Sequence, residues 1–256
     1  MPDQKTISLK IKRQKDQTSA PYWEEFELPY RPAMNVISCL MEIRKNPVTK
    51  DGTQTSAPVW EMNCLENVCG SCTMLMNGRV GQSCATLVDN LQQPITLEPM
   101  SKFPVVKDLA VDRSRMFENL KKIRGWIPID GTYDLGPGPR IAERDRQEAY
   151  EFARCMSCGS CLEACPQVNT HSNFIGPAAI GQVRLFNSHP TGAMNREERL
   201  EAISGSDGVT SCGNAQNCVK ACPKEIPLTK AIAEMNRDVT LYKFKRFFRG
   251  NNGGKS

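Results

Sequence analysis

Along the first hundred residues, apolar and polar positions alternate. Ile7, Leu9 and Ile11 are interleaved with Ser8, Lys10 and Lys12, the two-residue period of a strand with one buried face. A second strand through Trp23, Phe26 and Leu28 is expected to pair with it. Asn35 is placed to cap a helix over NVISCLMEIRK, because its side-chain oxygen can accept an N–H of the first turn. Asn77-Gly78, between TMLM and RVGQ, predicts a two-residue hairpin turn, since both residues tolerate positive φ. PITLEP supplies another short strand. After about residue 110 the spacing becomes helical, in DRSRMFENLKKI, ERDRQEAYEFAR, PAAIGQVRLF, NREERLEAI and LTKAIAEMNRDVTLY. Residues 130–140, DGTYDLGPGPR, are expected to form an irregular surface loop.

Composition adds limits to this picture. A length of 256 residues with 39% hydrophobic content allows two domains, each with its own core. The N-terminal MPDQKTISLKIKRQK is charged throughout and has no apolar stretch before a small-residue cleavage site. No conventional signal peptide is expected, and a reducing cytosolic compartment is. No apolar run reaches the ~18 residues that span a bilayer, so membrane association must come through a partner or a surface. The net charge of +5 is spread over 33 basic and 28 acidic residues. That mixture reads as a solvated surface, and no nucleic-acid partner is expected.

The 12 cysteines carry the chemistry. Cys64, Cys69, Cys72 and Cys84 follow C-x4-C-x2-C with a fourth cysteine beyond, the spacing of a plant-type [2Fe-2S] site. Such a loop wraps its cluster closely and turns backbone N–H groups toward sulfur, which suits Gly70, Gly78 and Gly81. Structural zinc is the alternative for four cysteines, but it usually takes two separated C-x2-4-C pairs. Cys39, inside an apolar helical pattern, reads as a small buried hydrophobe.

Cys155, Cys158, Cys161 and Cys165 with Pro166 form C-x2-C-x2-C-x3-C-P, the bacterial two-cluster signature. The run CGNAQNCVKACP repeats it from Cys212, with Ala215 where the first run has Cys158. In such pairs the fourth cysteine of each run crosses to the other cluster. Cys155, Cys158, Cys161 and Cys222 are thus expected around a [4Fe-4S] cluster, and Cys165, Cys212 and Cys218 around the second. Ala215 has no donor atom, so the second is expected to be [3Fe-4S]. The alternative is a [4Fe-4S] cluster whose fourth iron takes water or another side chain. His171 and His189, the only histidines, are not required as ligands and read as structural or solvated.

A plant-type segment followed by a bacterial-type helical segment, with FPVVKDLAVDRS at the junction and NFIGPAAIGQ after the first run, resembles the iron-sulfur subunit of succinate dehydrogenase and fumarate reductase. The resemblance spans nearly the whole chain. It implies an α+β protein, with a β-grasp [2Fe-2S] domain over 1–108 and an all-α [4Fe-4S]/[3Fe-4S] domain over 109–256. It further implies a flavoprotein partner carrying FAD and a haem-containing cytochrome b membrane anchor. On that basis the chain would lie on the cytoplasmic face of the cell membrane and relay electrons from flavin to quinone, with no residue acting on the dicarboxylate. A fumarate reductase subunit, or a carrier or adaptor for another flavoenzyme, are the alternatives. Members that reduce ubiquinone near the three-iron cluster carry Trp after the first Cys-Pro and His after the first cysteine of the second run. Here those places hold Gln167, Val168, Asn169 and Gly213, which points to menaquinone reached through the anchor. The C-terminal LYKFKRFFRG mixes Lys243, Lys245, Arg246 and Arg249 with Tyr242, Phe244, Phe247 and Phe248. It suits either an anionic membrane surface or a helix end whose cations favour the dipole.

Overall fold

The alternation around Ile7 becomes strand β1, Thr6–Arg13, whose residues 7, 9, 11 and 13 are buried. Side chains of a strand alternate between faces, so one apolar row can enter a core while the lysines stay in water. β1 pairs antiparallel with β2, Tyr22–Pro29, with Leu9 opposite Phe26. Helix α1, Val36–Lys45, follows, and its Asn35 cap accepts from Ser38 N at 2.8 Å. Strands β3, Thr73–Met76, and β4, Arg79–Gln82, form the expected hairpin. Asn77 and Gly78 turn at φ 49° and 73°, the left-handed conformations that match the twist of paired strands. β5, Ile95–Glu98, then lies parallel to β1, with Leu9 beside Ile95 and Ile11 beside Leu97. The sheet order β2-β1-β5-β3-β4, with α1 packed on its buried face through Val36, Ile37, Leu40 and Ile43, is a β-grasp arrangement. A small hairpin of β6, Val105–Lys107, and β7, Ala110–Val111, follows.

The computed structural model describes residues 5–128 and 140–252. The loop expected over 130–140 lies, apart from Arg140, outside the described residues. The helical patterns become α2, Ser114–Lys122, α3, Glu143–Ala153, α5, Pro177–Ser188, α6, Arg196–Ala202, and α8, Leu228–Asn252. Two one-turn helices, α4 at Ser160–Glu163 and α7 at Asn217–Lys220, sit inside the cysteine runs. α8 buries Leu228, Ala231, Ile232, Met235 and Val239, an i, i+3, i+4, i+7 stripe.

The chain divides into two compact units that are not contiguous halves. One comprises Met1–Arg113 with Met156–Glu163, the other Ser114–Cys155 with Ala164–Ser256. Glu163 shows why the short segment joins the first unit: its buried carboxylate accepts from Ser101 N and Lys102 N, each at 3.0 Å, and from Ser101 Oγ at 2.6 Å. Charge-assisted bonds of this kind offset the cost of burying a carboxylate.

Candidate metal centres

The first loop is shaped by left-handed residues: Leu65 at φ 61°, Asn67 at 56° and Gly70 at 74°. Alternating backbone handedness gathers N–H groups into a concave nest that favours negative charge. Cys64 Sγ accepts from the N–H of Glu66 and Val68 at 3.4 Å and of Cys69 at 3.3 Å. Ser71 Oγ is hydrogen bonded to Cys69 Sγ at 3.4 Å. That hydroxyl and the backbone of Cys64 pull the Cys69 thiol down to about 6, so the loop favours thiolate before iron arrives. Burial, then the neighbouring Cys72, pushes Cys84 up to about 11. The Asn35 side chain that caps α1 also donates to the Cys84 carbonyl at 2.9 Å, tying the fourth cysteine to the helix. Cys72 is buried on β3's approach, with Gln82 Oε1 at 3.6 Å from its sulfur.

In the second unit, Cys165, Cys212 and Cys218 line one recess, and Ala215 lines it with them. Asn214 and Gln216 flank Ala215 at φ 53° and 60°, a second left-handed loop around sulfur. Asn217 Nδ2 donates to the Ala164 carbonyl at 3.1 Å, which joins the two runs. Burial raises the Cys218 thiol. Gln167 and Gly213 also line the recess, and a β-carbon at Gly213 would come within 2.7 Å of Gln167 Nε2. Val168 is instead buried in the core, and Asn169 holds a turn through Pro166 O and His171 N.

Four further cysteines are divided between the units, Cys158 and Cys161 in the first and Cys155 and Cys222 in the second. Ser157 and Gly159 bracket Cys158 at φ 50° and 87°, so a left-handed backbone recurs here. Cys39 is wholly buried in α1, and desolvation pushes its thiol up to about 12. His189 Nδ1 accepts from Thr191 N and Gly192 N at the end of α5, and His171 is exposed. Among the described residues no three His, Cys, Asp or Glu side chains converge as one metal ion would require. A multi-iron cluster asks instead for thiolates set apart around a larger group, and the N–H-lined loops suit its negative charge.

Two family models match. The 2Fe-2S iron-sulfur cluster binding domain covers residues 8–118, and the 4Fe-4S dicluster domain covers residues 151–226. Fold and sites thus define an iron-sulfur protein of two ferredoxin-type domains, carrying [2Fe-2S] and [4Fe-4S] clusters. The succinate dehydrogenase iron-sulfur subunit of Bacillus subtilis is 62% identical, over 97% of this chain and 98% of that protein. The fumarate reductase iron-sulfur subunit of Wolinella succinogenes is 31% identical over 86% and 90%. Among solved structures, the Mycobacterium smegmatis Sdh1 complex in the apo form contains a chain with TM-score 0.78 and 26% identity, covering 93% of this chain and 97% of that one. The chain belongs to the iron-sulfur subunit family of succinate dehydrogenases and fumarate reductases, and so forms part of an oxidoreductase. Among the described residues no helix is long and apolar enough to cross a membrane.

Proposed function

We propose that this chain is the electron-transfer subunit of a succinate:quinone oxidoreductase. It receives electrons from the FAD of a flavoprotein subunit and passes them to a haem-containing membrane anchor that serves menaquinone, from the cytoplasmic face of the cell membrane. Cys64, Cys69, Cys72 and Cys84 hold [2Fe-2S]. Cys155, Cys158, Cys161 and Cys222 hold [4Fe-4S], and Cys165, Cys212 and Cys218 hold [3Fe-4S]. When bound, the clusters supply one-electron storage, which matches two-electron flavin chemistry to one-electron haem chemistry. The chain's own part is to present thiolates, direct N–H groups at sulfur and keep water away, the levers that set a cluster's potential.

The observation that carries this is the recess where three thiols meet the methyl group of Ala215. A run that lacks one cysteine, paired in sequence with a run that has all four, is the ligand pattern of a three-cluster relay. Around the [2Fe-2S] loop, Met62, Leu65 and Val68 are exposed apolar residues, a surface suited to a flavoprotein partner. Menaquinone is favoured by the recess lining: where ubiquinone-reducing members carry an imidazole, Gly213 has no side chain and the Gln167 amide occupies the space.

The test is purification of the complex by a tag on this chain, with flavin and haem analysis and EPR of the air-oxidised sample. Flavin, haem and a signal from an oxidised three-iron centre are expected, together with succinate oxidation faster than fumarate reduction and better turnover with a menaquinone analogue than with a ubiquinone analogue. Ala215→Cys should convert the three-iron signal toward [4Fe-4S]. Recovery of the chain alone, without flavin or haem, would defeat the subunit reading in favour of a free carrier.

A further inference from the structure

Arg113 lies between β7 and α2, where the sequence shows only a junction. Its side chain is 12% exposed and reaches the ligand loop between Cys69 and Cys72. Nη1 donates to the Gly70 carbonyl at 2.8 Å and Nη2 to the Ser71 carbonyl at 2.6 Å. Glu61 Oε2 stands 3.2 Å from Nη2 and is 44% exposed. The buried Nε has no hydrogen-bond partner among the described residues. The Gly70 carbonyl also accepts from Thr73 Oγ1 at 2.7 Å, and Thr73 Oγ1 accepts from Gln82 Nε2 at 2.8 Å. Gln82 is in turn the neighbour of the Cys72 sulfur. A guanidinium is therefore bonded to both residues that separate two cysteines of the [2Fe-2S] loop.

The loop is not free to move away from that charge. Gly70 adopts φ +74°, and a β-carbon on it would lie 2.7 Å from Cys158 Cβ and 2.9 Å from the Met156 carbonyl, so its α-carbon is pressed against the neighbouring run while its carbonyl is held by Arg113. A fixed cation that cannot relax acts fully on charge that develops beside it. A four-thiolate [2Fe-2S] centre is negative, and more so after reduction. A buried positive charge stabilises the reduced form more than the oxidised form, and the effect grows as the local dielectric falls. Glu61 opposes it only in part, because its carboxylate is nearly half in water, where charges are screened.

We propose that Arg113 is the tuning residue of the [2Fe-2S] centre. Its guanidinium clamps the Gly70–Ser71 stretch and raises the centre's reduction potential, with Glu61 as a partial counter-charge. The proposal rests on the assignment of Cys64, Cys69, Cys72 and Cys84 to that centre. The experiment is a potentiometric titration of the intact complex followed by EPR, for Arg113→Gln, Arg113→Lys and Glu61→Gln. Arg113→Gln should lower the [2Fe-2S] reduction constant about tenfold, which is ~59 mV for a one-electron couple. Arg113→Lys should restore most of that loss, and Glu61→Gln should shift the midpoint the opposite way, with the other centres unmoved. A merely structural arginine would not produce opposite signs at the two partners. An unchanged midpoint in Arg113→Gln, or a Glu61→Gln midpoint that is unchanged or lowered, overturns the proposal. If Arg113→Gln does not assemble, Glu61→Gln decides alone by the same criterion. A wild-type complex without a [2Fe-2S] signal would instead overturn the ligand assignment, and the tuning role with it.

Discussion

Arg13 ends the buried row of β1, where a side chain of ordinary hydrophobic character would be expected. It is buried with Asp108, donating from Nε at 3.0 Å and Nη2 at 3.3 Å, and it also pairs with Glu24. Asp108 further accepts from Gln14 N at 3.0 Å and Val59 N at 2.9 Å. The carboxylate therefore pins three chain segments at the end of the sheet. Removing one member of a buried ion pair leaves the other charge uncompensated, at a cost of about 3–5 kcal/mol. Asp108→Asn should lower the unfolding free energy by that order, and Arg13→Met with Asp108→Leu should recover part of it, as read by chemical unfolding. Loss under 1 kcal/mol would mean the pair behaves as a surface bridge. A second residue-scale contrast concerns thiols. Cys69 is pulled down to about 6 by Ser71 and the Cys64 backbone, whereas burial holds Cys39 at about 12. Near pH 7 the first is mostly thiolate and the second is not. In cluster-free protein, brief iodoacetamide treatment followed by peptide mapping should modify Cys69 and spare Cys39; equal labelling would contradict the burial of α1.

At the scale of elements, α8 divides its residues between two jobs. Its first half supplies the buried stripe, and beyond Thr240 the apolar side chains face outward: Leu241, Phe244, Phe247 and Phe248 are all exposed. Phe244 and Phe248 pack edge to face at 4.8 Å between ring centroids. The cations of the same stretch are partly engaged by the neighbouring α6 and the loop after it. Arg246 pairs with Glu201 at 2.6 Å, Arg249 with Glu197 at 3.8 Å, and Lys243 donates to the Ser204 carbonyl at 2.7 Å. Arg246 and then Tyr242 hold the Glu201 carboxyl below its usual range. The tail is thus a helix that exposes three aromatic side chains, Phe244, Phe247 and Phe248, as fits burial against an apolar layer. Truncation after Thr240 should leave cluster content unchanged and reduce the fraction of complex recovered with membranes. Undiminished membrane recovery would reduce the tail to a solvated helix end.

For the molecule as a whole, the placement of Met156–Glu163 in the first unit means that the chain leaves that unit after Arg113 and returns to it for one short segment. Residues 1–113 alone would lack the Cys158 backbone that lies against Gly70, and the Glu163 carboxylate bonded to Ser101 and Lys102. The second gap leaves the N–H groups of Ser101 and Lys102 without the acceptor that the full chain supplies. The fragment should retain its [2Fe-2S] cluster less well than the intact chain, measured by decay of visible circular dichroism in air, and equal retention would show that the segment adds nothing to the unit's stability.

Much of this was legible before folding. A strand's period is two, so Ile7, Leu9 and Ile11 declared their face at once, and Asn35 and Asn77-Gly78 declared a cap and a turn because backbone chemistry at those points is local. The cysteine spacings likewise announced cluster types, since a short loop can offer three thiolates to one group only at set intervals. What remained hidden was either too short or too distant. α4 and α7 hold one turn each, and β6 and β7 three and two residues, less than a period needs to show itself. Glu163, charged and set among cysteines, gives no local sign that its carboxylate is buried on Ser101. Arg113 sits more than 40 residues from the loop it clamps, and Gln167 some 46 residues before Gly213. Local grammar determines periodicity, caps, turns and ligand spacing. Pairings across long loops depend on the free energy of the closed chain, and only the tertiary structure decides them.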